Sequence, residues 1–225
     1  MKETMNGVTP HEMIRVIQEH AQRGRYGPKL DISEKVLQAM GRVPRHEYVR
    51  NKKTAYWDQP SPIECDQTIS QPFIVAYMTH SLDIHPEHKV LEIGMGSGYG
   101  ASVIAELAAD VYAIERIPEL YKKAKEVCTR NGYNIKSKCD DGYNGWEEEA
   151  PFDRIMVTAI SKEIPSQLVN QLKIGGKMII PHNLRIRNEK VANLGKMHLV
   201  TKIGTHAHHT KNLNLGCKFV PLLKD

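Results

Sequence analysis

The sequence lacks the features that mark membrane-spanning, disulfide-linked and zinc-binding chains. No window approaches the run of about 20 apolar residues that crosses a bilayer, and the first residues hold no apolar segment typical of a signal peptide. We therefore expect a cytoplasmic protein without membrane contact. The cysteines form no C-x-x-C pair, which argues against a zinc ribbon and a disulfide framework and is typical of a reducing compartment. They are Cys65, Cys128, Cys139 and Cys217.

Aromatic residues are also few, and basic residues are not concentrated. Aromatic residues make up 6% of the chain, and the formal net charge is +5. Lysines and arginines are spread along the chain without an aromatic stacking platform between them, so we expect no nucleic-acid partner. With 225 residues, of which 40% are hydrophobic, the chain is long enough for a full core. We expect a monomer.

Hydrophobic periodicity divides the chain into a helical part and a part in which strands and helices alternate. Residues 10–23 and 33–40 predict helices, and residues 44–70 predict a long ordered loop. From residue 89 onward, short buried strands alternate with helices, which indicates a parallel sheet covered on both faces. The predicted parallel strands are 89–94, 110–115, 135–139, 152–158 and 176–181. The helices between them are predicted to end near residue 109 and to span 118–131 and 165–172.

The last two predicted strands, residues 196–202 and 214–222, have no convincing helix between them, so they predict an antiparallel edge. The fold class is therefore α/β: a doubly wound, mostly parallel sheet with an antiparallel C-terminal edge and an N-terminal helical segment. We expect residues 1–225 to form a single domain. Residues 1–80 would supply the N-terminal helices and a loop at the site, and residues 81–225 the ligand-binding sheet.

A glycine-rich turn follows the first parallel strand, in the stretch VLEIGMGSGYGAS at residues 90–102. Its spacing is Gly94-x-Gly96-x-Gly98, and Tyr99 stands where the G-x-G-x-x-G pattern of dinucleotide folds has its third glycine. This spacing disfavours an NAD enzyme. Glycines let the backbone approach a ligand closely, and the helix that follows offers its N-terminus.

Acidic residues end the next two predicted strands. Glu115 lies about 20 residues after the glycine turn, where a carboxylate can accept hydrogen bonds from two ribose hydroxyls. Asp141 and Gly142 follow the third strand and are placed to meet an adenine edge. The carboxyl ends of parallel strands share one edge of the sheet, where open α/β proteins bind ligands. Each feature alone is ordinary, but the three in this order predict a nucleoside ligand.

The stretch ECDQTISQPF, residues 64–73, precedes a predicted helix. Pro72 falls in its first turn, where the missing N–H costs nothing, so Ser70 or Gln71 occupies the cap. Two interpretations remain open. Ser70 is only a capping hydroxyl, or the helix start holds an anion through its free N–H groups and positive dipole end.

The glycine turn resembles the S-adenosylmethionine-binding turn of class I methyltransferases, and longer stretches resemble the protein-L-isoaspartate (D-aspartate) O-methyltransferase family. The Q-T-I-S-x-P signature is more specific than the turn. The resemblance implies the class I methyltransferase fold and a repair activity that methylates the α-carboxylate of L-isoaspartyl and D-aspartyl residues in damaged proteins. The other matching stretches are VPRHEYV (43–49), AYWDQPSPI (55–63), YAIERIPEL (112–120), DDGYNGWEEEAPFDRIMVTA (140–159), EIPSQLVNQLKIGGKMIIP (163–181) and KFVPL (218–222).

The resemblance also implies S-adenosyl-L-methionine as the cofactor and isoaspartyl-containing proteins and peptides as partners. In this arrangement the glycines border the methionine part of the cofactor, the acid at position 115 binds its ribose and the acid at position 141 its adenine. The implied catalytic residues are Ser70, an active-site hydroxyl, and Thr68. The implied cofactor-binding residues are Ile69, Gly94, Gly96, Gly98, Glu115, Asp141 and Gly142.

The loop before the signature departs from the family pattern. The family usually shows P-I-G-x-G-Q-T-I-S, whereas Glu64 and Asp66 replace the glycines here. Two acids beside a carboxylate site would repel the substrate. Two alternatives to repair therefore stay open: an aspartate O-methyltransferase acting on a dedicated biosynthetic peptide, and a cofactor-binding protein with little turnover.

Three closely spaced histidines, His206, His208 and His209, raise the question of a metal ion. On a strand, His206 and His208 would share one face. Because no nearby cysteine or carboxylate completes a site, we expect a solvated strand or hairpin and no metal.

Overall fold

The computed structural model describes residues 8–183 and 193–224, in which helices pack against a seven-stranded sheet. None of the described helices is long and apolar enough to cross a membrane. The α-helices are, in chain order, α1 (Pro10–Arg23), α2 (Glu34–Arg42), α3 (Pro72–Leu82), α4 (Tyr99–Ala105), α5 (Pro118–Arg130) and α6 (Ser166–Asn170). The strands are β1 (Ser61–Pro62), β2 (Thr68–Ile69), β3 (Lys89–Ile93), β4 (Asp110–Glu115), β5 (Lys136–Cys139), β6 (Phe152–Val157), β7 (Leu172–His182), β8 (Leu194–Gly204) and β9 (Ala207–Lys218).

The large sheet has the strand order β5-β4-β3-β6-β7-β8-β9. Strands β3 to β7 pair in parallel, whereas β7–β8 and β8–β9 pair antiparallel. The predicted doubly wound sheet with an antiparallel C-terminal edge is confirmed. After β3 the chain adds β4 and β5 on one side and then crosses to add β6 on the other. The gap beyond the ends of β3 and β6 is therefore a topological switch point, where ligands bind in open α/β sheets.

The central strands β3, β4 and β6 are buried on both faces of the sheet, and alternate residues of each strand point to opposite sides. On one face Val90 and Val111 pack with residues of α1 to α5. On the other face Leu91 and Tyr112 pack with residues of α6 and with the partly buried Trp146. Two continuous hydrophobic layers thus hold the strand ends that form the site.

The predicted N-terminal helices are confirmed. Thr9 caps α1 through a capping box with Glu12, in which the Glu12 amide donates to Thr9 Oγ1 and the Thr9 amide donates to Glu12 Oε2. Helix α2 begins at Glu34, after Ser33 at the N-cap, and continues two residues beyond the predicted end.

Helix α4 and strand β9 are among the elements whose bounds differ from prediction. Helix α4 ends at Ala105 rather than near residue 109. The last strand, predicted as 214–222, spans Ala207–Lys218, because its exposed first residues also pair with β8, as in Thr201 opposite His209. His206 lies in the turn before β9, and His208 and His209 are exposed on its first residues. Among the described residues no three His, Cys, Asp or Glu side chains are grouped to hold a metal ion.

Candidate active site

A cavity of about 770 Å³ opens at the switch point of the sheet. One wall is the segment from Gln67 through the first turns of α3, and the floor is formed by the carboxyl ends of β3, β4 and β6. The third wall is the segment 216–223 at the end of β9 and beyond it. The cavity brings together these residues predicted from the sequence: Thr68, Ile69, Ser70, Gly94, Gly96, Glu115, Asp141 and Gly142.

Gly98 is the predicted site residue that the structure places elsewhere. It is buried, and a Cβ built on it would lie 2.5 Å from Cys128 Sγ on α5. Its φ of +87° also favours glycine. Gly98 therefore lets the start of α4 approach α5 and is not among the described residues that line the cavity.

Gly94 is constrained by both its backbone and its neighbours. Its φ is +90°, and an added Cβ would lie 2.4 Å from Thr158 Oγ1. The amides of Gly94 and Met95 donate to the carbonyl oxygen of Ile114 at 2.9 and 3.0 Å. The turn is therefore joined to β4 by backbone hydrogen bonds and has no room for a side chain at its first glycine.

Glu115 ends β4 and orders the glycine turn. Its carboxylate accepts hydrogen bonds from the amides of Gly96 at 2.8 Å and Ile117 at 3.0 Å. A carboxylate has about four lone-pair sites, so two remain for ligand hydroxyls. Glu115 borders the cavity while only 5% exposed. The site can thus accept the pair of ribose hydroxyls that the sequence predicted.

Asp141 combines a local structural role with its place in the cavity. Its Oδ1 accepts a hydrogen bond from the Tyr143 amide at 2.9 Å, which caps a short 3-10 helix at residues 142–144. A Cβ on Gly142 would lie 2.5 Å from Ile93 Cγ2. Glycine at this position therefore lets the loop after β5 reach the end of β3, where both border the cavity.

Glu92 is a cavity residue that the sequence reasoning did not assign. It is fully buried on β3, and its Oε1 would lie 2.2 Å from a Cβ on Gly100. Burial raises the pKa of the Glu92 carboxyl to about 8, although a hydrogen bond with the Ala101 backbone opposes the shift. The signal for this residue was a carboxylate inside the apolar run V-L-E-I directly before the glycine turn.

The acidic loop before the signature forms the turn of the β1–β2 hairpin. The Gln67 amide donates to the Glu64 carbonyl at 3.1 Å, and Cys65 and Asp66 both have φ of +55°. Positive φ at both central residues is the type I′ geometry that favours glycine. The glycine expected by the family pattern at position 66 thus falls where the backbone requires a left-handed residue.

The predicted repulsion of a substrate by Glu64 and Asp66 is not supported by their positions. Neither is among the described residues that line the cavity. Glu64 forms ion pairs with Lys123 on α5 and with Arg50. The hydrogen bond from Lys123 lowers the pKa of Glu64, with a smaller contribution from Arg50. The Glu64 charge is therefore balanced by the chain itself.

The structure corrects the interpretation of Ser70 as a helix cap. The N-cap of α3 is Gln71, with Pro72 as the first helical residue. Ser70 lies one residue before the cap and lines the cavity. The capping interpretation of its hydroxyl is therefore wrong, and Ser70 is available as a cavity-lining group.

The second interpretation, that the start of α3 holds an anion, is not met by a ligand site, because a carboxylate of the protein occupies this position. The anion is Asp58 of the protein, whose side chain is 4% exposed. Its Oδ1 accepts from the Phe73 amide at 2.8 Å, and its Oδ2 accepts from Gln71 Nε2 at 3.0 Å and lies 2.7 Å from His20 Nδ1. The positive end of α3 is thus already occupied by a carboxylate.

The segment after β9 is the largest part of the site that the sequence reasoning left without a role. It is anchored by two backbone hydrogen bonds of 2.8 Å, from the Ile160 amide to the Val220 carbonyl and from the Leu222 amide to the Ile160 carbonyl. Tyr26 also reaches the cavity from the loop after α1. The stretch KFVPL matched the family pattern, and that match was the available signal.

Comparison with known proteins identifies the family. The sequence matches the family described as protein-L-isoaspartate(D-aspartate) O-methyltransferase over residues 19–225. The chain belongs to this family. The resemblance inferred from the sequence is thereby confirmed, together with the class I methyltransferase fold and S-adenosylmethionine as the family's cofactor.

Individual relatives of this family agree along most of the chain. A protein-L-isoaspartate O-methyltransferase of Syntrophus aciditrophicus is 44% identical over 196 residues, which cover 85% of this chain and 87% of that protein. Protein-L-isoaspartate O-methyltransferase 2 of a Polaromonas species is 51% identical over 157 residues, covering 68% and 74% of the two chains. A solved structure described as a putative protein-L-isoaspartate O-methyltransferase from Plasmodium falciparum, in complex with S-adenosyl-L-homocysteine, has a TM-score of 0.78 at 26% identity. It covers 95% of this chain and 99% of that one.

Proposed function

We propose that the protein transfers the methyl group of S-adenosylmethionine to the α-carboxylate of L-isoaspartyl and D-aspartyl residues in damaged proteins. The observation that carries the proposal is that one cavity joins the Thr68–Ser70 segment to the glycine turn, Glu115 and Asp141. We call the glycine turn, Glu115 and Asp141 the methyl-donor side of the cavity, and residues 68–70 the acceptor segment. Direct transfer of a methyl group requires that its donor and its acceptor be bound next to each other in one cavity. The family of the chain supports the same activity.

The residues at the carboxyl edge of the sheet fit the cofactor. Glu115 has acceptor capacity left for ribose hydroxyls, and Asp141 and Gly142 border the same cavity. Gly94 and Gly96 bring backbone to the cavity surface, and Ile69 adds a buried apolar contact. In this proposal these residues hold the cofactor, which supplies an electrophilic methyl group when bound.

Methylation of a substrate carboxylate requires little from the protein beyond binding this group and orienting it toward the methyl group. A carboxylate with an ordinary pKa near 4 is already ionised at neutral pH, so no strong general base is needed. Methyl transfer neutralises the carboxylate and the sulfonium together. In this proposal Ser70, which lines the cavity, donates its hydroxyl hydrogen to the carboxylate oxygen that does not react, and Thr68 lines the same cavity. Catalysis then rests on positioning and on exclusion of water.

The proposal extends to organisation and surroundings. We propose one methyltransferase domain over residues 1–225, since residues before and after position 80 line the same cavity. We also propose a cytoplasmic monomer without membrane or nucleic-acid partners. All four cysteines are free, which suits a reducing compartment. Sedimentation of the purified protein and fractionation of cells test these two statements.

The decisive experiment compares two peptides that differ at one linkage. The protein is incubated with methyl-labelled S-adenosylmethionine and an isoaspartyl peptide, or with its normal aspartyl twin. Labelling of the isoaspartyl peptide alone supports the proposal. Equal labelling of both peptides, or of neither, would contradict it. Tight cofactor binding by calorimetry without transfer to any isoaspartyl peptide would favour a binding protein instead.

A further inference from the structure

Arg45 is a fully buried arginine behind the acceptor segment. It lies just after α2, in the short 3-10 helix of residues 45–47, and has no exposed surface. Its Nε donates to the Ala55 carbonyl at 2.9 Å, and its Nη2 donates to the Ser70 carbonyl at 2.8 Å. The guanidinium therefore holds the backbone of Ser70 itself.

The same guanidinium also contacts the cofactor side of the cavity. Its Cζ lies 4.6 Å from the centroid of the Tyr99 ring. Tyr99 is buried and is the first residue of α4, directly after the glycine turn. A cation over an aromatic face is an attractive and directional contact. Arg45 thus connects the acceptor segment and the glycine turn through one rigid, planar group.

An apolar side chain could fill the space that the buried Arg45 occupies, so packing alone does not explain the positive charge there. Burying a charge is costly, and apolar residues of similar volume often stabilise a core as well or better. Burial lowers the pKa of Arg45, while Tyr99 and Asp58 act in the opposite direction. What the arginine adds over an apolar residue is geometry: two donors and a flat face at fixed separations.

That geometry bears on the reaction because methyl transfer depends on distance and alignment. Reacting atoms must approach to about 3–3.5 Å, and a misplacement of about 1 Å can cost about a hundred-fold in rate. Asp58 fixes the residues that follow Ser70, through the Phe73 amide and the Gln71 side chain. Arg45 holds the carbonyl oxygen of Ser70 itself. Through its contact with Tyr99 it also links Ser70 to the residue that follows the glycine turn.

We propose that Arg45 is a positioning residue that sets the placement of the Ser70 hydroxyl relative to the methyl donor. It acts through the Ser70 backbone and contacts neither substrate nor cofactor. This inference rests on the proposed function. Because Arg45 holds the Ser70 backbone, most of the loss in turnover that its substitution causes should disappear once the Ser70 hydroxyl is absent.

The test is a double-mutant cycle of Arg45→Lys and Ser70→Ala, with Arg45→Gln as a second variant that keeps an amide donor group without the charge. We expect Arg45→Lys to lower kcat on an isoaspartyl peptide about ten-fold. The Kd for S-adenosylhomocysteine should stay within about two-fold of the wild-type value, because the donor-side residues remain. In the Ser70→Ala background the same substitution should lower kcat less than about two-fold.

Hydrogen exchange gives a readout that does not depend on turnover. Arg45→Lys should speed amide exchange in a peptide covering residues 67–78 and leave residues 110–130 unchanged. Arg42→Lys is the matched control, since Arg42 pairs with Glu106 at the surface and its side chain is 52% exposed. This control should match the wild type in every measurement.

Two results would overturn the inference. One is an equal fold loss of kcat from Arg45→Lys with and without the Ser70 hydroxyl. The other is a cofactor affinity that falls in parallel with kcat. A wild-type protein that labels no isoaspartyl peptide would instead contradict the proposed function. In that case, unchanged exchange at residues 67–78 would separately contradict the contact assigned to Arg45.

Discussion

Replacing Glu92 with glutamine should make the protein more stable relative to the wild type as the pH rises. Glu92 is fully buried at the end of β3, and its Oε2 has no hydrogen-bond partner among the described residues. Glutamine has nearly the same shape and can still accept the hydrogen bond with the Ala101 backbone. It carries no charge at any pH. The substitution Glu92→Gln therefore isolates the cost of ionising this carboxyl.

The magnitude follows from the shift in pKa. Burial raises the pKa of Glu92 from 4.5 to about 8. At pH values below 4.5, the Glu92 carboxyl is protonated in both the folded and the unfolded protein. Its burial then takes nothing from the free energy of unfolding through ionisation. As the pH rises toward 8, only the unfolded chain releases the proton, so the free energy of unfolding falls by about 1.4 kcal/mol per pH unit. Between pH 4.5 and pH 8 the wild type should lose about 5 kcal/mol of unfolding free energy through Glu92. The glutamine variant should not show this loss.

The assay is urea unfolding of both proteins without cofactor at pH 6 and pH 8. The difference in unfolding free energy between variant and wild type should grow by about 2 kcal/mol over this interval. Glu126→Gln serves as the control, because the Glu126 side chain is 71% exposed on α5. A difference that stays constant between the two pH values would refute the reasoning, since it would mean that Glu92 is ionised in the folded protein.

Three further substitutions test the site. Ser70→Ala should lower kcat about ten- to a hundred-fold with cofactor affinity nearly unchanged, from the loss of one charge-assisted hydrogen bond of roughly 1.5–3 kcal/mol; an unchanged kcat would remove Ser70 from the reaction. Glu115→Ala should weaken S-adenosylhomocysteine binding in calorimetry first, because the proposed acceptor for the ribose hydroxyls and the acceptor for the Gly96 amide are both lost; intact affinity would contradict the proposed role. Asp66→Gly should relieve the left-handed strain at φ +55° and raise stability by roughly 0.5–1 kcal/mol, or about 1–4 °C in Tm. Peptide kinetics should stay the same in this variant, and a marked gain in affinity at low salt would restore the repulsion hypothesis.

The parallel sheet could be predicted because its strands are short apolar runs with clear boundaries. Val90 to Ile93 and Val111 to Ile114 are buried on both sides, so their sequence pattern has few alternatives. Strand β9 was harder, since its first residues are exposed and polar and only their pairing with β8 makes them a strand. Backbone pairing between exposed residues leaves no hydrophobic period to detect.

The donor side of the site was similarly accessible from the sequence, whereas its supporting contacts were not. Glycines and strand-end acids have local patterns, and Gly94 and Glu115 lie where those patterns predicted. The carboxylate that binds the first amides of α3 could not be predicted from a local sequence pattern. Asp58 meets Phe73 and His20 only through the folded backbone, and no local spacing relates these three residues. The stretch AYWDQPSPI marked Asp58 as part of a family pattern without indicating its partner.

The anchoring of residues 216–223 at Ile160 has a consequence for the order of folding. This segment follows every donor-side residue in the sequence, so a chain synthesised from its N-terminus acquires the third wall of the cavity last. Gly94, Glu115 and Asp141, which border the same cavity, lie much earlier in the chain. We expect a nascent chain that stops before residue 216 to lack that wall although every one of these residues has been made. Synthesis of residues 216–223 is then the step that completes the cavity.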